Sequence, residues 1–555
     1  MYEQLDMFLN DFASDNIAIL NYWYDGEYEE AIEMIEQFTE EDWQKLLENY
    51  KTKSDFWKER LAYCFVDKDN HYQLQILEDL LNTENNHLFA KVIDELRVHF
   101  DVKRISNIDE VLKKIDKVLP LLDKEWARKS LLDFKSKATK QSRDLKIFTD
   151  NIEERARKQI DDLLDQDAFK ESKVRIMPDV HAGKSCVIGF TGDLGKKVIP
   201  NIVGVDIGCG MFCAQLGKID IDYEKLDSFI NSKIPNGLNV NEEPVIDFDL
   251  TQLYCYKYLK NTGWISKSLG SLGGGNHFIE IDESEDGEKY LVIHSGSRNL
   301  GAQVAHYYQT LANEICNHGL FEHDKRRQEI IEKCKKEGRE KDIQTELEKL
   351  NIEYQERKGS IPPEYAYLEG EYRDAYLHDM KICQEFAKLN RYIMAKRIAT
   401  HMGWNLDNYF ESVHNYISFE DNIVRKGAIS AKEGEPVIIP INMRDGCIIG
   451  VGKGNPDWNY SAPHGAGRIM SRSQAMEKIS LEDYQKSMEG IYTSSISEDT
   501  KDEAPFVYKS KEEILEHIIP SVTVTKVIKP VYNFKASEVQ MTDRKEEEES
   551  THIKR

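Results

Sequence analysis

Apolar residues recur at helical spacing through the first 140 residues. Segments such as YEEAIEMIEQF, HLFAKVIDELRVHF and IDEVLKKIDKVLPLL place them at positions i, i+3, i+4 and i+7, and short polar turns separate the segments. This pattern predicts an all-α N-terminal domain over residues 1–140, in which helices stack in pairs in a loose HEAT-like manner.

After about residue 145 the spacing of the apolar residues changes. β-Branched runs alternate with glycine-rich turns, beginning with VRIMPDVHAGKSCVIGF, and helical stretches lie between them. This pattern predicts an α+β fold over residues 145–537, with a mixed β-sheet body and surrounding helices. The highly charged segment 320–358 predicts a helical insertion whose charges form a solvated face. Residues 538–555 contain almost no apolar side chains and are expected to be disordered.

The composition of the 555-residue chain indicates what class of protein it is and in which compartment it folds. The length predicts two to four domains, and the absence of any run of about 18 apolar residues predicts that no membrane is a partner. The nine cysteines are scattered, with no CxxC pair, and the acidic N-terminus has no apolar stretch of the signal-peptide kind. These features predict a reduced, cytoplasmic protein.

The formal net charge of −25 argues against a protein whose whole surface binds nucleic-acid phosphates. Residues 1–140 contain 30 acidic and 19 basic residues, a net charge of −11, which leaves −14 for the other 415 residues. An anionic substrate must therefore meet a local basic cleft or metal ions. The acidity of residues 1–140 favours a protein partner for that domain over direct contact with nucleic acid.

Polar residues with the chemistry of metal ligands follow apolar runs in four segments. VGVDIGCGM carries Asp206 and Cys209, GGGNHFIEI carries His277, YLVIHSGSR carries His294, and FESVHN carries His414. Any one of these histidines alone would be interpreted as a hydrogen-bonded structural residue. Together the five side chains suit Zn²⁺, Mn²⁺, Fe²⁺ or Co²⁺. They exceed the needs of one tetrahedral ion, so a thiolate bridging two ions is one interpretation, and such a pair can clamp a phosphoryl displacement.

The segment YSAPHGAGRIMSRSQA contains a further histidine, His464, with Arg468 and Arg472. If a helix begins near Gly465, its free N–H groups face a phosphate and the two arginines share one face of its first turns. His464 is then placed to attack a phosphorus atom or to protonate a leaving oxygen. The alternative interpretation is a glycine-rich turn with a capping histidine.

Eight motifs in this order resemble the RtcB family of RNA-splicing ligases, over about residues 145–537. They are MPDVHAGK, VGVDIGCGM, GGGNHFIEI, HSGSR, VHN, RKGA, HGAGRIMSR and KPVYNFKA. The resemblance implies an enzyme that joins RNA ends bearing a 2′,3′-cyclic phosphate or 3′-phosphate to 5′-hydroxyl ends, with GTP and two Mn²⁺ ions. Residues 1–140 lie outside the resemblance.

The resemblance also implies roles for individual residues. His464 matches the histidine that carries GMP, and Cys209 matches a ligand shared by both ions. The implied metal ligands are Asp206, Cys209, His277, His294 and His414. The implied nucleotide-binding residues are Asn276, Glu280, Asn415, Gly465, Ala466, Gly467, Tyr508 and Lys535. The implied contacts to RNA phosphates are Arg298, Arg468 and Arg472.

One segment departs from the family's pattern. Many members have Gly-Ser-Met-Gly and further serines where this chain has IIPINMRDG, so Ile441, Asn442, Arg444 and Asp445 replace small residues expected near the nucleotide phosphates. Either Arg444 takes over phosphate contacts, or the pocket differs in shape or base preference. Two other functions also stay open: a metal-dependent RNA-end phosphoesterase, and a non-catalytic RNA-end sensor regulated through the N-terminal domain.

Overall fold

A computed structural model describes residues 1–141, 143–318, 320–355 and 361–535. The chain divides into two compact units, one from Met1 to Arg143 and one from Asp144 onward. The expected disordered tail at residues 538–555, and the last residues of the expected insertion at 320–358, lie outside the described residues.

The N-terminal unit is helical throughout its described length. Its helices are α1 (Tyr2–Asp11), α2 (Ile17–Tyr22), α3 (Tyr28–Glu36), α4 (Glu40–Asn49), α5 (Asp55–Tyr63), α6 (His71–Leu80), α7 (Asn86–His99), α8 (Ile108–Val118) and α9 (Glu125–Gln141). Polar side chains set where several of them begin: Thr39 and Asp42 form a capping box at α4, and Asn70 and Asn85 cap α6 and α7. The apolar faces close over a core centred on tryptophan and phenylalanine side chains.

The second unit is built on β-strands. They are β1 (Leu145–Ile147), β2 (Val174–His181), β3 (Ile188–Asp193), β4 (Gly210–Gly217), β5 (Phe278–Ser284), β6 (Lys289–Ser295), β7 (Tyr409–Val413), β8 (Asn415–Ser418), β9 (Ile423–Lys426), β10 (Ala428–Ser430), β11 (Pro436–Asn442), β12 (Gly446–Gly452), β13 (Ser461–Pro463), β14 (Tyr492–Thr493) and β15 (Val522–Lys535).

Three sheets form from these strands. The largest has the order β11-β12-β15-β5-β6-β4-β7, with β14 beside β15, and a five-stranded sheet has the order β1-β2-β3-β9-β8. The third pairs β10 with β13. Pairing is antiparallel except for β1 with β2 and β14 with β15. Several neighbouring strands, such as β15 and β5, lie far apart in the chain, and their antiparallel pairing places the start of one strand beside the end of the next.

Helices surround these sheets. They are α10 (Glu154–Leu164), α11 (Pro200–Val203), α12 (Tyr223–Lys233), α13 (Thr262–Lys267), α14 (Arg298–His318), α15 (Leu320–Lys336), α16 (Ile343–Gln355), α17 (Gly370–Met402), α18 (Arg472–Lys478), α19 (Leu481–Ser487) and α20 (Lys511–Ile518). The long helix α17 buries Phe386, Met394 and Ile398. The predicted α+β class, with a helical N-terminal region, is confirmed. Among the described residues, no helix combines the length and the apolar character needed to cross a membrane.

Candidate metal and nucleotide site

Four adjacent strands, in the order β5-β6-β4-β7, bring five polar side chains to one edge of the large sheet. Because neighbouring strands run in opposite directions, the starts of β4 and β5 lie beside the ends of β6 and β7. Cys209 directly precedes β4, His277 precedes β5, His294 is the last residue but one of β6, and His414 follows β7. Asp206 comes from the loop between α11 and β4.

The glycines around Cys209 are needed for this close approach. Gly208 has a φ of +73°, a left-handed conformation that glycine adopts without strain. At Gly210, a Cβ atom would lie 2.7 Å from the carbonyl oxygen of Ser412 on β7. A side chain there would force β4 away from β7. The backbone of Cys209 would then lose its 2.9 Å hydrogen bond from the His414 amide.

The donor atoms of the five side chains converge. The sulfur of Cys209 lies 3.4 Å from Nε2 of His277 and 3.2 Å from Nε2 of His294. Nε2 of His294 lies 3.3 Å from Nε2 of His414, and Nε2 of His277 lies 3.5 Å from Oδ2 of Asp206. Two groups of three can be drawn, and Cys209 belongs to both. Two cations that share a thiolate would use every member of the set.

The protonation of the histidines also suits metal binding. Nδ1 of His294 donates to the backbone carbonyl of Asn276 across 3.0 Å, which leaves the lone pair on Nε2. Burial lowers the pKa of His294 and of His414 well below the usual value, so both imidazoles are neutral. Neutral imidazoles with converging Nε2 atoms are ligands for a transition metal ion.

The two acidic members differ from each other in their protonation. Burial opposes ionisation of Asp206, but the hydrogen bond and the charge of His277 outweigh burial and keep the pKa of Asp206 below its usual range. Burial, and then the Asp206 charge, raise the pKa of the Cys209 thiol well above its usual value. A bound cation favours the thiolate outright, so the site as a whole fits a metal.

A cavity of about 280 Å³ opens beside these side chains. Its wall contains most of the residues that the sequence analysis singled out, namely Asp206, His294, His414, Asn276, Glu280, Asn415, His464, Gly465, Ala466, Gly467, Arg468, Arg472, Tyr508 and Lys535. Asp206 and His464 lie more than 250 positions apart in the sequence but line the same cavity.

His464 is oriented by a buried carboxylate that the sequence analysis did not single out. Oδ2 of Asp179, on β2, accepts from Nδ1 of His464 at 2.6 Å and from its backbone N–H at 3.1 Å. Asp179 is fully buried, and the His464 ring lies 4.8 Å from the ring of His414. Donation from Nδ1 leaves the lone pair of His464 on Nε2, which is the tautomer of a nucleophile or a base.

The segment after His464 is not helical, which rules out the interpretation in which a helix begins near Gly465. The helix α18 begins at Arg472, where Ser471 and Gln474 form a capping box. Gly467 has a φ of +78°, and a Cβ there would lie 2.4 Å from the carbonyl oxygen of Asp179. The glycine-rich segment is thus pressed against β2 in a conformation that a helix cannot adopt, and it offers no helix N-terminus to a phosphate.

Glu503 gathers the cationic side chains at the other end of the cavity. Its carboxylate lies 3.0 Å from Nζ of Lys535, 3.2 Å from Arg468 and 3.5 Å from Arg472, and it accepts from the hydroxyl of Tyr508. Burial opposes ionisation of Glu503, yet the three cations lower its pKa to about 2. Glu503 is therefore an anion that fixes the positions of the side chains around it.

The remaining predicted side chains have defined partners. Oε1 of Glu280 accepts from Nδ2 of Asn533 at 2.6 Å, and Oδ1 of Asn415 accepts from the backbone of Gly427 at 3.0 Å. Arg298 donates to the hydroxyl of Ser271 and to the carbonyl of Gly237. Its guanidinium lies behind the His277 loop and is not among the described residues that line the cavity.

The sequence analysis missed two further cations that support the sheet edge. Arg391 of α17 is fully buried and donates to the carbonyls of Gly208 at 2.7 Å and Ser295 at 2.9 Å, which ties the loops before β4 and after β6 together. Nζ of Lys426 donates to the Val203 carbonyl at 2.7 Å. RKGA marked Lys426 in the sequence, whereas nothing in the helical pattern of α17 marked Arg391.

The departing segment forms the hairpin between β11 and β12. Ile441, Asn442 and Met443 line the cavity. Arg444 instead pairs with the adjacent Asp445 across 2.9 Å and lines a neighbouring surface groove. The cavity wall therefore contains the apolar Ile441 and the amide of Asn442, and Arg444 is not among the described residues that line it. This favours the alternative in which the pocket differs in shape over the one in which Arg444 contacts the phosphates.

Comparisons with known proteins agree on one family. A family model described as tRNA-splicing ligase RtcB matches residues 166–254 and 256–536. The RNA-splicing ligase RtcB of Escherichia coli K12 is 30% identical over 388 residues, which cover 62% of this chain and 85% of that protein. The tRNA-splicing ligase RtcB of Nanoarchaeum equitans is 24% identical over 445 residues, covering 64% and 85%. The family model begins at residue 166, so it leaves out the N-terminal unit.

Proposed function

The chain belongs to the RtcB family of tRNA-splicing ligases, and from that premise we propose that it joins RNA ends through a covalent His464–GMP intermediate. The substrates are RNA ends with a 2′,3′-cyclic phosphate or 3′-phosphate, RNA ends with a 5′-hydroxyl, and GTP. Two Mn²⁺ ions would be held by Asp206, Cys209, His277, His294 and His414.

One observation carries this proposal: His464, held by the Asp179 carboxylate, lines the same cavity as His294 and His414. The carboxylate holds Nδ1 of His464 at 2.6 Å, and the ring of His414 lies 4.8 Å from the ring of His464. A nucleophilic imidazole beside a set of metal ligands is the arrangement that nucleotidyl transfer to histidine requires.

The first chemical step follows from the tautomer of His464. Nε2 attacks the α-phosphorus of GTP, the bond to the bridging oxygen breaks, and pyrophosphate leaves, so His464 carries GMP through an N–P bond. The Nδ1 proton stays on the ring, where the Asp179 carboxylate stabilises the positive charge that develops. Divalent cations at the neighbouring ligands would supply neutralisation of charge on the phosphoryl oxygens.

Two further displacements complete ligation once the RNA ends in a 3′-phosphate, and a 2′,3′-cyclic phosphate must first be opened to that 3′-phosphate by water. An oxygen of the RNA 3′-phosphate attacks the phosphorus held by His464, the N–P bond breaks, and the RNA end becomes a guanosine-capped diphosphate. The 5′-hydroxyl of the second RNA end then attacks the RNA phosphorus, a phosphodiester forms, and GMP leaves. His464 returns to its starting state, and Asp179 keeps it in the nucleophilic tautomer for the next cycle.

The base end of the cavity supports guanine recognition. Glu280 is a buried acceptor for the N–H groups of the base edge, Lys535 a donor toward its exocyclic oxygen, and Tyr508 a ring on which the base stacks. Glu503 fixes Lys535 and Tyr508 before the nucleotide arrives. Pre-formed partners reduce the ordering cost of binding, which favours one base over others.

The RNA strands and the N-terminal unit complete the proposal. Arg468, Arg472 and Arg298 supply positive charge near the site in a chain whose net charge is −25. The helical residues 1–140, with a net charge of −11, would contact a protein partner. The scattered cysteines of the chain support the cytoplasm as its compartment.

A ligation assay tests the proposed function. The full chain is incubated with Mn²⁺ and two RNAs, one ending in a 2′,3′-cyclic phosphate and one beginning with a 5′-hydroxyl, with GTP, with ATP or with no nucleotide. We expect a joined product with GTP alone. Opening of the cyclic phosphate without joining, whatever the nucleotide, would instead favour a phosphoesterase. Binding of unaltered RNA would favour a sensor.

Replacing Asp179 by asparagine is expected to slow GMP transfer to the protein on the order of 10³-fold. An asparagine amide can donate to Nδ1 of His464, which moves the ring proton to Nε2 and removes the nucleophilic lone pair. The measurement is the rate of labelling by α-labelled GTP. Asp193→Asn is the matched control, since the Asp193 carboxylate on β3 is exposed and accepts a hydrogen bond from the backbone N–H of Lys173. Labelling of Asp179→Asn at the unaltered rate would contradict the orienting role.

A further inference from the structure

A second group of buried ligand-type side chains lies behind the base end of the cavity. Glu280 and Asp282 are two residues apart on β5, so they face the same side of the sheet, and Cys447 lies on β12. The strand β15 runs between β5 and β12 and adds Asn533. One ligand atom from each of Glu280, Asp282 and Cys447 lies within 4.8 Å of the others.

Asp282 is a carboxyl group beside the Cys447 thiol, in surroundings that offer an ionised carboxylate little stabilisation. It is fully buried, and neither of its oxygens accepts a hydrogen bond from an N–H or O–H group of the described residues. Cys447 belongs to an apolar cluster with Met211, Val292 and Ile438. An isolated ionised carboxylate in such surroundings is very costly, so a compensating group must be present.

Protonation is one way to remove the charge of the cluster. Burial raises the pKa of Glu280 to about 8 and the pKa of Asp282 and of Cys447 well above their usual values, and the Cys447 thiol can donate to Asp282. The Oδ1 atom of Asn533 is also buried without a partner among the described residues, while its Nδ2 atom donates to Glu280. A single cation bound by the two carboxylates and the thiolate would instead stabilise the ionised form of all three ligands.

We propose that Glu280, Asp282 and Cys447 bind one Zn²⁺ ion, with Oδ1 of Asn533 as the fourth ligand. Two carboxylates, a thiolate and an amide oxygen form a four-coordinate set, and thiolate ligation selects Zn²⁺ over Mg²⁺ or Ca²⁺. Ligand atoms of a tetrahedral zinc ion lie about 3.3–3.8 Å apart at bond lengths of about 2.0–2.3 Å. The donor atoms of Glu280, Asp282 and Cys447 lie within 4.8 Å of one another, so binding of the ion would have to draw them closer together.

The ion has a consequence for nucleotide binding, which rests on the proposed function. Glu280 faces the cavity as well as the buried cluster. To accept from the N–H groups of guanine, its carboxylate must be ionised, although burial favours its neutral form. A cation behind Glu280 holds it in the ionised form. This ion is therefore a structural support of the base pocket and is separate from the ions beside His464.

Metal content tests the proposal without any measurement of activity. The full chain is stripped with a chelator, reloaded with Zn²⁺, freed of excess ion and analysed for zinc per chain by mass spectrometry. We expect Asp282→Asn and Cys447→Ser each to lose one ion relative to the unaltered chain. Cys64→Ser, which removes a fully buried thiol from the N-terminal unit, is expected to lose none.

A crystallographic measurement guards against variants that fail to fold. An anomalous difference map of the unaltered chain at the zinc edge should contain a peak between Glu280, Asp282 and Cys447. Absence of that peak, with peaks present at the His294 and His414 ligands, would overturn the proposal. So would an Asp282→Asn variant that keeps every zinc ion. Failure of the ligation assay with this peak present would count against the proposed function alone.

Discussion

Replacement of His464 by glutamine is expected to abolish transfer of GMP to the protein. Glutamine has a similar reach and keeps an amide that can contact Asp179, but it has no nitrogen lone pair able to attack phosphorus. The chain is incubated with α-labelled GTP and Mn²⁺ and then separated under denaturing conditions. The label should fall below detection in His464→Gln, because no other group of the proposed chemistry replaces the nucleophile.

The matched control is His517→Gln on α20. Nδ1 of His517 lies 2.7 Å from the Glu513 carbonyl within its own helix, and His517 does not line the cavity among the described residues. Labelling of this variant should equal that of the unaltered chain. If His464→Gln still acquired label, the covalent carrier would be a different residue, and the role proposed for the Asp179–His464 pair would be wrong.

The fold class was predictable because the spacing of apolar residues differs between the two units. In the N-terminal unit, apolar residues recur about every 3.6 positions within each helical segment, since each helix buries one face against its neighbours. In the second unit, short β-branched runs bounded by glycine predicted strands. Which strands are neighbours was not predictable, because the pairing of β15 with β5 joins residues about 250 positions apart and depends on the whole core.

The convergence of the candidate ligands was partly predictable. The sequence places polar side chains beside apolar runs and close to glycines at Asp206, Cys209, His277 and His294, where a core would not need them. The residues that position the side chains of the site were not predictable, for two different reasons. Asp179 lies within the motif MPDVHAGK, but only the fold brings its carboxylate to His464, 285 positions further along the chain, and Arg391 lies in a helix already rich in charged residues.

The start of α18 illustrates how a local pattern misleads. HGAGR contains two glycines before a charged helical stretch, so a helix beginning near Gly465 was one of two interpretations of the segment. The sequence also contained the competing signal, Ser471 followed three residues later by Gln474, and that capping box sets the observed start. Gly467 serves the close approach to Asp179 on β2, a tertiary contact that no local pattern encodes.

Replacement of Cys209 by serine is expected to lower both the content of active-site metal and the rate of ligation. Loss of a residue that only supports a metal ligand typically costs about 10–100-fold in activity, and loss of the ligand itself should cost far more. Cys209 belongs to both groups of candidate ligands, so its loss weakens both ions at once. A serine hydroxyl ionises much less readily than a thiol and is a poor bridge between cations. Metal per chain and the yield of joined RNA are measured on the same preparation.

The two proposed metal sites make this prediction sharper, because they separate the loss of a ligand from the loss of the fold. Cys209→Ser should keep the ion at Asp282 and Cys447, whereas Asp282→Asn should keep the ions beside His294. A Cys209→Ser variant that retained its full metal content and its ligation would contradict the shared-thiolate arrangement. If Cys209→Ser instead lost all its metal, including the ion at Asp282, the substitution would have unfolded the sheet edge that Gly210 and Arg391 hold together.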